Sequence, residues 1–310
     1  MDILPTLSSF SMILSSLFGI ICTLIFIIIM ATNRQCHTLH NCLVLNSTVA
    51  GLIINIIYMC QGIYQLSDVG DDILCRFRGF LLQMGTGLLY HTLCVQAFHR
   101  LFVTVYSTKR YFQTKSFNIY MVIIQWVISF SFGLPVFLTG QMKYYAEVRM
   151  CQVSIDETLS SIYFTLIIFV FPLLTIIFIY IHIVKYMKQN SHSTTKRLNI
   201  TGHHRHHCEL RLIRRILIIV IVLFLLGFPY GFLEILIEIH VMPSWPYIIS
   251  IGYIFITIGQ GATTLINLIT TDDVRKVLIN IFKKYIIRKN QVHCVNTINA
   301  PNLIFVNQQC

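Results

Sequence analysis

The sequence predicts an all-α membrane protein, a seven-transmembrane helix bundle followed by an amphipathic helix eight. Three observations carry that reading. Hydrophobic residues make up 55% of the 310, and only 11% are charged, against about 25% charged in a soluble domain. Mean hydropathy is +0.71. The apolar residues gather into seven runs, near 9–31, 40–65, 76–105, 117–138, 159–186, 211–239 and 247–270. A helix needs roughly 20 such residues to cross about 30 Å of hydrocarbon. Finally, basic residues segregate to alternate sides of these runs. An ordinary soluble enzyme, a disordered chain and a small disulfide scaffold are excluded by composition. Barrel strands of about 9–11 residues are too short for these runs, and no internal repeat of a repeat-built transporter is visible.

The first run has no basic segment before it, since Asp2 leads, and it extends from Ser9 to Ala31. That is longer than the apolar core of a cleavable signal, so it reads as the first span behind a short exterior segment, 1–8. The loops then set orientation. One side holds Arg34, then Lys109, Arg110 and Lys115, then Lys188, Lys196, Arg197, Arg205, Arg211, Arg214 and Arg215. The tail adds Arg275, Lys276, Lys283, Lys284, Arg288 and Lys289 to that side. The other side has Arg76, Arg78, Lys143 and Arg149, with the acids Asp2, Asp68, Asp71, Asp72, Glu147, Asp156 and Glu157. Positive residues stay inside, so the N-terminus is expected outside and the C-terminus in the cytoplasm. The formal charge of +11 is then a topology signal, and nucleic acid is not an expected partner.

Ten cysteines are present, and only Cys75 and Cys151 fall in exterior segments. The oxidising side favours one disulfide between them; two free thiols are the alternative. After the seventh run, Thr271, Asp272 and Asp273 supply helix-start chemistry. Val274, Val277, Leu278, Ile281, Phe282 and Tyr285 then fall on one helical face, with Arg275, Lys276, Lys283 and Lys284 off it. This is a surface helix for an anionic leaflet, with lipid as its partner. It closes the bundle domain at 9–286 and leaves 287–310 as a cytoplasmic tail. Cys294 in that tail is either palmitoylated or a free thiol.

Certain landmarks recur at fixed spacing. Cys75 opens the third run, and Arg100 follows 25 residues later in His99-Arg100-Leu101. Trp126 precedes Pro135 by nine residues, and Pro172 precedes Tyr180 by eight. Pro229 stands within the sixth run, with Glu209 twenty residues before it. In this order they resemble the rhodopsin-like (class A) G-protein-coupled receptors, over about 9–286. The departures mark a divergent member. Thr23 stands for the family's helix-one Asn, and Gly51 for the helix-two Asp that binds sodium. Gly227 replaces the usual helix-six Trp, and Thr263-Thr264-Leu265-Ile266-Asn267 replaces Asn-Pro-x-x-Tyr.

The resemblance implies a receptor, not an enzyme. It would bind an extracellular ligand and signal to a heterotrimeric G protein through an outward swing of helix six. Arg100 is then a switch, paired at rest with Glu209 and met in the active state by Tyr180. His99, in place of an acid, implies raised basal activity. Pro172, Pro229 and Gly227 read as hinges, Trp126 and Pro135 as packing, and Asn267 as a stand-in for the family's second tyrosine. Each has a plainer alternative: a snorkelling Arg100, static proline kinks, an interfacial Tyr180.

Leu82 stands seven residues after Cys75, where amine receptors carry an Asp, so a monoamine is not expected. No Lys occurs between Ile248 and Thr271, which argues against retinal. Gln83, Thr86, Tyr230, Glu234 and Tyr253 are the candidate pocket residues, Glu234 being alternatively a headgroup-level charge. Acidic outer segments would steer a basic peptide, the ligand class expected here. No cofactor or metal is expected: His203, His204, His206, His207 and Cys208 read as a solvated loop without fixed geometry. The other functional reading is a transporter or channel without G-protein coupling. His91 and His182 are almost the only ionisable groups near mid-membrane, too few for ion coupling.

Overall fold

The computed structural model describes residues 3–67, 70, 73–153, 158–194, 217–222, 224, 225, 227, 232, 246–281, 283 and 284. Helix one is Ile3–Thr32 and helix two Leu39–Ser67. Helix one begins six residues ahead of the apolar run, with Pro5 in its first turn, where a missing N–H breaks no helical bond. Helix three is Cys75–Thr104 and helix four Lys115–Ser131. Thr114 caps helix four by accepting from the Phe117 N–H at 3.3 Å. Phe132 and Gly133 break its outer end, and the chain resumes as a short helix, Leu134–Leu138. Pro135 lies in the first turn of that segment, the place a helix tolerates it.

Helix five is composite: Thr158–Thr165, a π-helical turn Leu166–Val170, and Phe171–Thr194. The anticipated kink at Pro172 therefore takes the form of a widened turn just before it. Proline offers no N–H and would collide with the carbonyl four residues back, and a π-turn accommodates both defects. The described residues of helix six, 217–222, 224, 225, 227 and 232, are helical. Helix seven is Pro246–Thr270, and 272–281 form a further helix, the expected helix eight. Glu209, Pro229, Tyr230, Glu234, Phe282, Tyr285 and the 203–208 cluster lie outside the described residues.

Among the described residues, five helical segments are long and apolar enough to cross a membrane: helices one, two, four, five and seven. Helix three is as long as helix one, at 30 residues, but it buries His91, Thr92, Gln96, His99 and Arg100. A central helix is shielded from lipid by its neighbours and can carry that polar load. Helix four shows the opposite balance, with Ile119, Ile123, Ile124, Val127 and Ile128 all at least half exposed. These would face hydrocarbon.

Three apolar clusters hold the bundle. Leu93 and Ala97 of helix three pack with Ile176, Ile179, Tyr180 and Ile183 of helix five. Phe26 and Met30 of helix one pack with Leu268 of helix seven and Val274 of helix eight, with Val277 and Leu278 against them. The apolar stripe of helix eight is thus partly spent on the bundle, while Ile281 stays 53% exposed. At the end of the bundle where helix one begins, Met12, Tyr58, Leu82 and Tyr253 meet Val148 and Met150.

Those last two belong to a feature the apolar runs do not signal. Strand β1 (Met142–Tyr145) pairs antiparallel with β2 (Met150–Val153), Tyr144 opposite Cys151. The hairpin is tied to helix three by the Cys75–Cys151 disulfide, Cα–Cα 5.4 Å. Gln65 of helix two donates to the Val148 carbonyl at 2.8 Å. A Cβ on Gly79 would lie 3.1 Å from the Cys151 carbonyl oxygen, so the hairpin rests directly on helix three.

Close packing also makes a quantitative expectation. A Cβ on Gly87 would fall 2.3 Å from Phe132 Cζ. Gly87→Val is expected to destabilise the detergent-solubilised protein by about 1–3 kcal/mol through overpacking. Thermal unfolding followed with a thiol-reactive dye should register the loss, and an unchanged midpoint would contradict this contact.

Candidate functional site

Near the C-terminal end of helix three, Arg100 is 6% exposed. Its Nη2 donates to His40 Nδ1, 2.5 Å away near the start of helix two. Neighbouring His99 turns to helix four, where its Nδ1 lies 2.9 Å from Asn118 Oδ1. Asn118 Nδ2 is committed to the carbonyls of Thr114 at 2.8 Å and Phe112 at 3.4 Å. Its Oδ1 is therefore an acceptor, and His99 Nδ1 donates. Tyr180 is buried on helix five, and its hydroxyl makes no hydrogen bond among the described residues.

Beside His40, Asn41 Nδ2 donates to Asp273 Oδ2 and to the Cys36 carbonyl, both at 2.9 Å. This joins helix two to the first turn of helix eight. Cys36 sits in the turn Arg34–Cys36 between helices one and two. Burial, and then the Asp273 carboxylate, push its thiol up, which makes it a poor nucleophile. Asp272 pairs with Arg275 at 3.0 Å on the exposed side, while Arg275, Lys276, Lys283 and Lys284 are exposed.

In mid-bundle, Trp126 Nε1 donates to Asn46 Oδ1 at 2.9 Å. Asn46 Nδ2 donates to Gln125 Oε1 at 3.1 Å, and Gln125 Nε2 donates to the Leu88 carbonyl at 3.4 Å. The relay ties helices two, three and four. Gly51 opens a space that Gln260 of helix seven fills: its Nε2 lies 3.3 Å from the position of a Cβ there. It reaches the Gly51 carbonyl at 3.5 Å. A neutral amide thus stands where the resemblance places a sodium-binding carboxylate. Asn267 is buried on the same helix.

Gly227 is buried, and a Cβ on it would lie 3.0 Å from the Tyr90 hydroxyl and 3.4 Å from Phe169. Those two rings meet edge-on, centroids 5.0 Å apart. They occupy the room a helix-six tryptophan would need. With Tyr58, Thr86 and Gln260 they line a cavity of about 20 Å³, enough for about one water. Above it, Thr86 Oγ1 donates to the Leu82 carbonyl at 2.9 Å and lies 3.4 Å from the Tyr58 hydroxyl. Tyr253 joins Tyr58 and Leu82 in the outer cluster.

The structure therefore brings Thr86 and Tyr253 to one region, linked through Tyr58 and Leu82. Gln83, half-buried, is not among the residues lining the cavity. His40, Asn46, Asn118, Tyr90, Phe169 and Gln260 were not singled out from the sequence. For Asn46 its place beside the helix-two landmark was the available signal; for the others the pairing is purely spatial. No group of three or more metal-ligating side chains occurs among the described residues.

Residues 22–258 match the family model described as "7 transmembrane receptor (rhodopsin family)". Over 187 residues the chain is 31% identical to the 5-hydroxytryptamine receptor 1B of Felis catus and of Homo sapiens, covering 53% of this chain and 45% of theirs. It spans about half the length of these curated relatives. A crystal structure of squid rhodopsin superposes with a TM-score of 0.80 at 16% identity, covering 92% of this chain and 87% of that one. That likeness is one of fold.

The mid-bundle relay yields a test. Asn46→Leu strands the Trp126 indole N–H and the Gln125 amide, and is expected to cost about 1–2 kcal/mol. In the Trp126→Phe background the same substitution should cost measurably less, because the shared bond is already gone. Equal costs in the two backgrounds, read from thermal unfolding, would contradict the bond.

Proposed function

This chain belongs to the rhodopsin family of seven-transmembrane receptors, and from that premise we propose that it binds an extracellular ligand and signals to a heterotrimeric G protein. It is a multi-pass membrane protein. Its N-terminus lies outside and its C-terminus in the cytoplasm, at the plasma membrane, a reading supported by the one-sided run of basic loops.

The observation that carries the proposal is Arg100. A guanidinium buried at the inner end of the central helix is expensive to keep in a membrane bundle. It is retained because an outward swing of helix six exposes it to the G protein. Glu209 restrains it at rest, Tyr180 receives it in the active state, and Pro229 with Gly227 supplies the bend on which helix six moves. Exposed Arg275, Lys276, Lys283 and Lys284 lay helix eight on the anionic leaflet.

The ligand is a basic peptide, drawn in by the acidic outer segments. The relatives named as 5-hydroxytryptamine receptors suggest a monoamine instead. Against that, the position after Cys75 that would hold the amine's counter-ion is Leu82, 3% exposed within an apolar cluster. Retinal is disfavoured because helix seven has no lysine for a Schiff base. The pocket is formed by Gln83, Thr86, Tyr230, Glu234 and Tyr253, with Glu234 accepting a cationic group of the peptide.

Cells expressing the full chain with a panel of G-protein reporters are expected to respond to at least one member of a basic peptide library and not to 5-hydroxytryptamine. Arg100→Ala at equal surface expression should remove the response. A ligand-evoked ion current that persists without G proteins would overturn the assignment. A response to 5-hydroxytryptamine would overturn the ligand class alone.

A further inference from the structure

Among the described residues, Arg100 meets a partner from helix two. Arg100 Nη2 and His40 Nδ1 are 2.5 Å apart, and the guanidinium is 6% exposed. A guanidinium carries five donors and no acceptor. His40 Nδ1 must therefore accept, so the ring is neutral with its proton on Nε2. A doubly protonated ring would set two cations in contact without a lone pair between them.

Three further contacts hold this pair in register. His99, next in the chain to Arg100, donates to Asn118 of helix four, so its ring is engaged away from helix two. The two histidines thus hold opposite tautomers, Nδ1 protonated in His99 and bare in His40. The backbone under His40 is also tied down. The adjacent Asn41 donates to the Cys36 carbonyl and to Asp273 Oδ2, each at 2.9 Å. Helix two therefore presents the imidazole from a base fastened both to the preceding turn and to helix eight.

We propose that His40 is a positioning residue that holds Arg100 in the resting receptor, with its bare Nδ1 as the acceptor. The proposal rests on the receptor reading above and adds a restraint from helix two. Moving helix six does not by itself break this bond; the guanidinium must leave His40 to meet an incoming partner. A charge-assisted hydrogen bond made in only one of two states biases their equilibrium by about tenfold or more. A neutral acceptor makes that restraint easier to release than a carboxylate would, since no opposite charges are separated.

The test uses the full-length receptor. Basal nucleotide exchange on a panel of G proteins is measured in membranes carrying equal numbers of wild-type, His40→Phe, His40→Asn, Arg100→Ala and His40→Phe/Arg100→Ala receptors. His40→Phe removes the acceptor and should raise basal exchange about tenfold. Asparagine places its Oδ1 near the position of Nδ1, so His40→Asn should restore most of the lost restraint. The double variant should fall to the vector level, because the gain acts through Arg100. If His40→Phe fails to reach the membrane, His40→Ala takes its place. Independently of any G protein, the imidazole 15N spectrum of the purified receptor should contain a bare, hydrogen-bonded Nδ1 resonance that shifts in Arg100→Ala. Wild-type exchange in His40→Phe, with Arg100→Ala still silent, would overturn the proposal and leave the receptor reading standing. An Nδ1 resonance indifferent to Arg100→Ala would overturn the contact itself. If every receptor stays at the vector level while the resonance shifts, the coupling reading fails and the role of His40 in it fails too.

Discussion

A polar group inside a membrane bundle has no solvent to turn to, so it bonds to a carbonyl of its own helix or to a group on another. Helix three buries five of them, His91, Thr92, Gln96, His99 and Arg100, and its bonds reach three neighbouring helices. His91 Nδ1 meets Ser129 Oγ of helix four at 2.8 Å. The Leu88 carbonyl accepts from Gln125, and His99 reaches Asn118, both also on helix four. Cys94 Sγ donates to the Pro172 carbonyl of helix five at 3.5 Å. Thr86 and Arg100 reach Tyr58 and His40 at opposite ends of helix two. Apolar packing is non-directional and would allow helices to slide. These bonds are directional, and they register helix three against three neighbours between Thr86 and Arg100.

A second constraint is steric. Glycines in this bundle coincide with side chains reaching across from a facing helix. Asn55 stands 2.5 Å from where a Gly19 Cβ would be, and Phe132 occupies the corresponding space at Gly87. The same pattern accounts for two departures from the receptor family. Gln260 lies over Gly51, and Tyr90 with Phe169 lies against Gly227. Each lost functional side chain is matched by a neighbour that takes up its volume. The mid-bundle keeps its packing while its chemistry changes from a carboxylate to an amide, and from one helix-six ring to rings on helices three and five.

At the two ends the bundle is closed differently. One end is held by a covalent bond and a hairpin laid on helix three. The opposite end is held among the described residues by non-covalent contacts, Asn41 to Asp273, Arg100 to His40 and the apolar packing of helix eight on helices one and seven. Hydrogen bonds exchange far more readily than a disulfide.

The sequence by itself determined what is one-dimensional: the apolar runs, the gathering of basic residues into alternate loops, the two cysteines that pair and the order of the landmark residues. Hydrocarbon thickness and charge retention act on stretches of chain, so they leave a record that can be read along it. The stripe Val274, Val277, Leu278 likewise announced which face of helix eight is apolar, and that face packs on helices one and seven. The sequence did not announce the partners. Arg100 and His40 are 60 positions apart, and Trp126 and Asn46 are 80 apart. Helical periodicity says which face is turned inward and nothing about the residue it will meet. The four-residue strands are too short to show an alternation, and the place of their hairpin is set by the disulfide and by Gln65. The widened turn before Pro172 was one of several ways to absorb a proline. Only tertiary structure decided these points, because each depends on the position of a second helix in space.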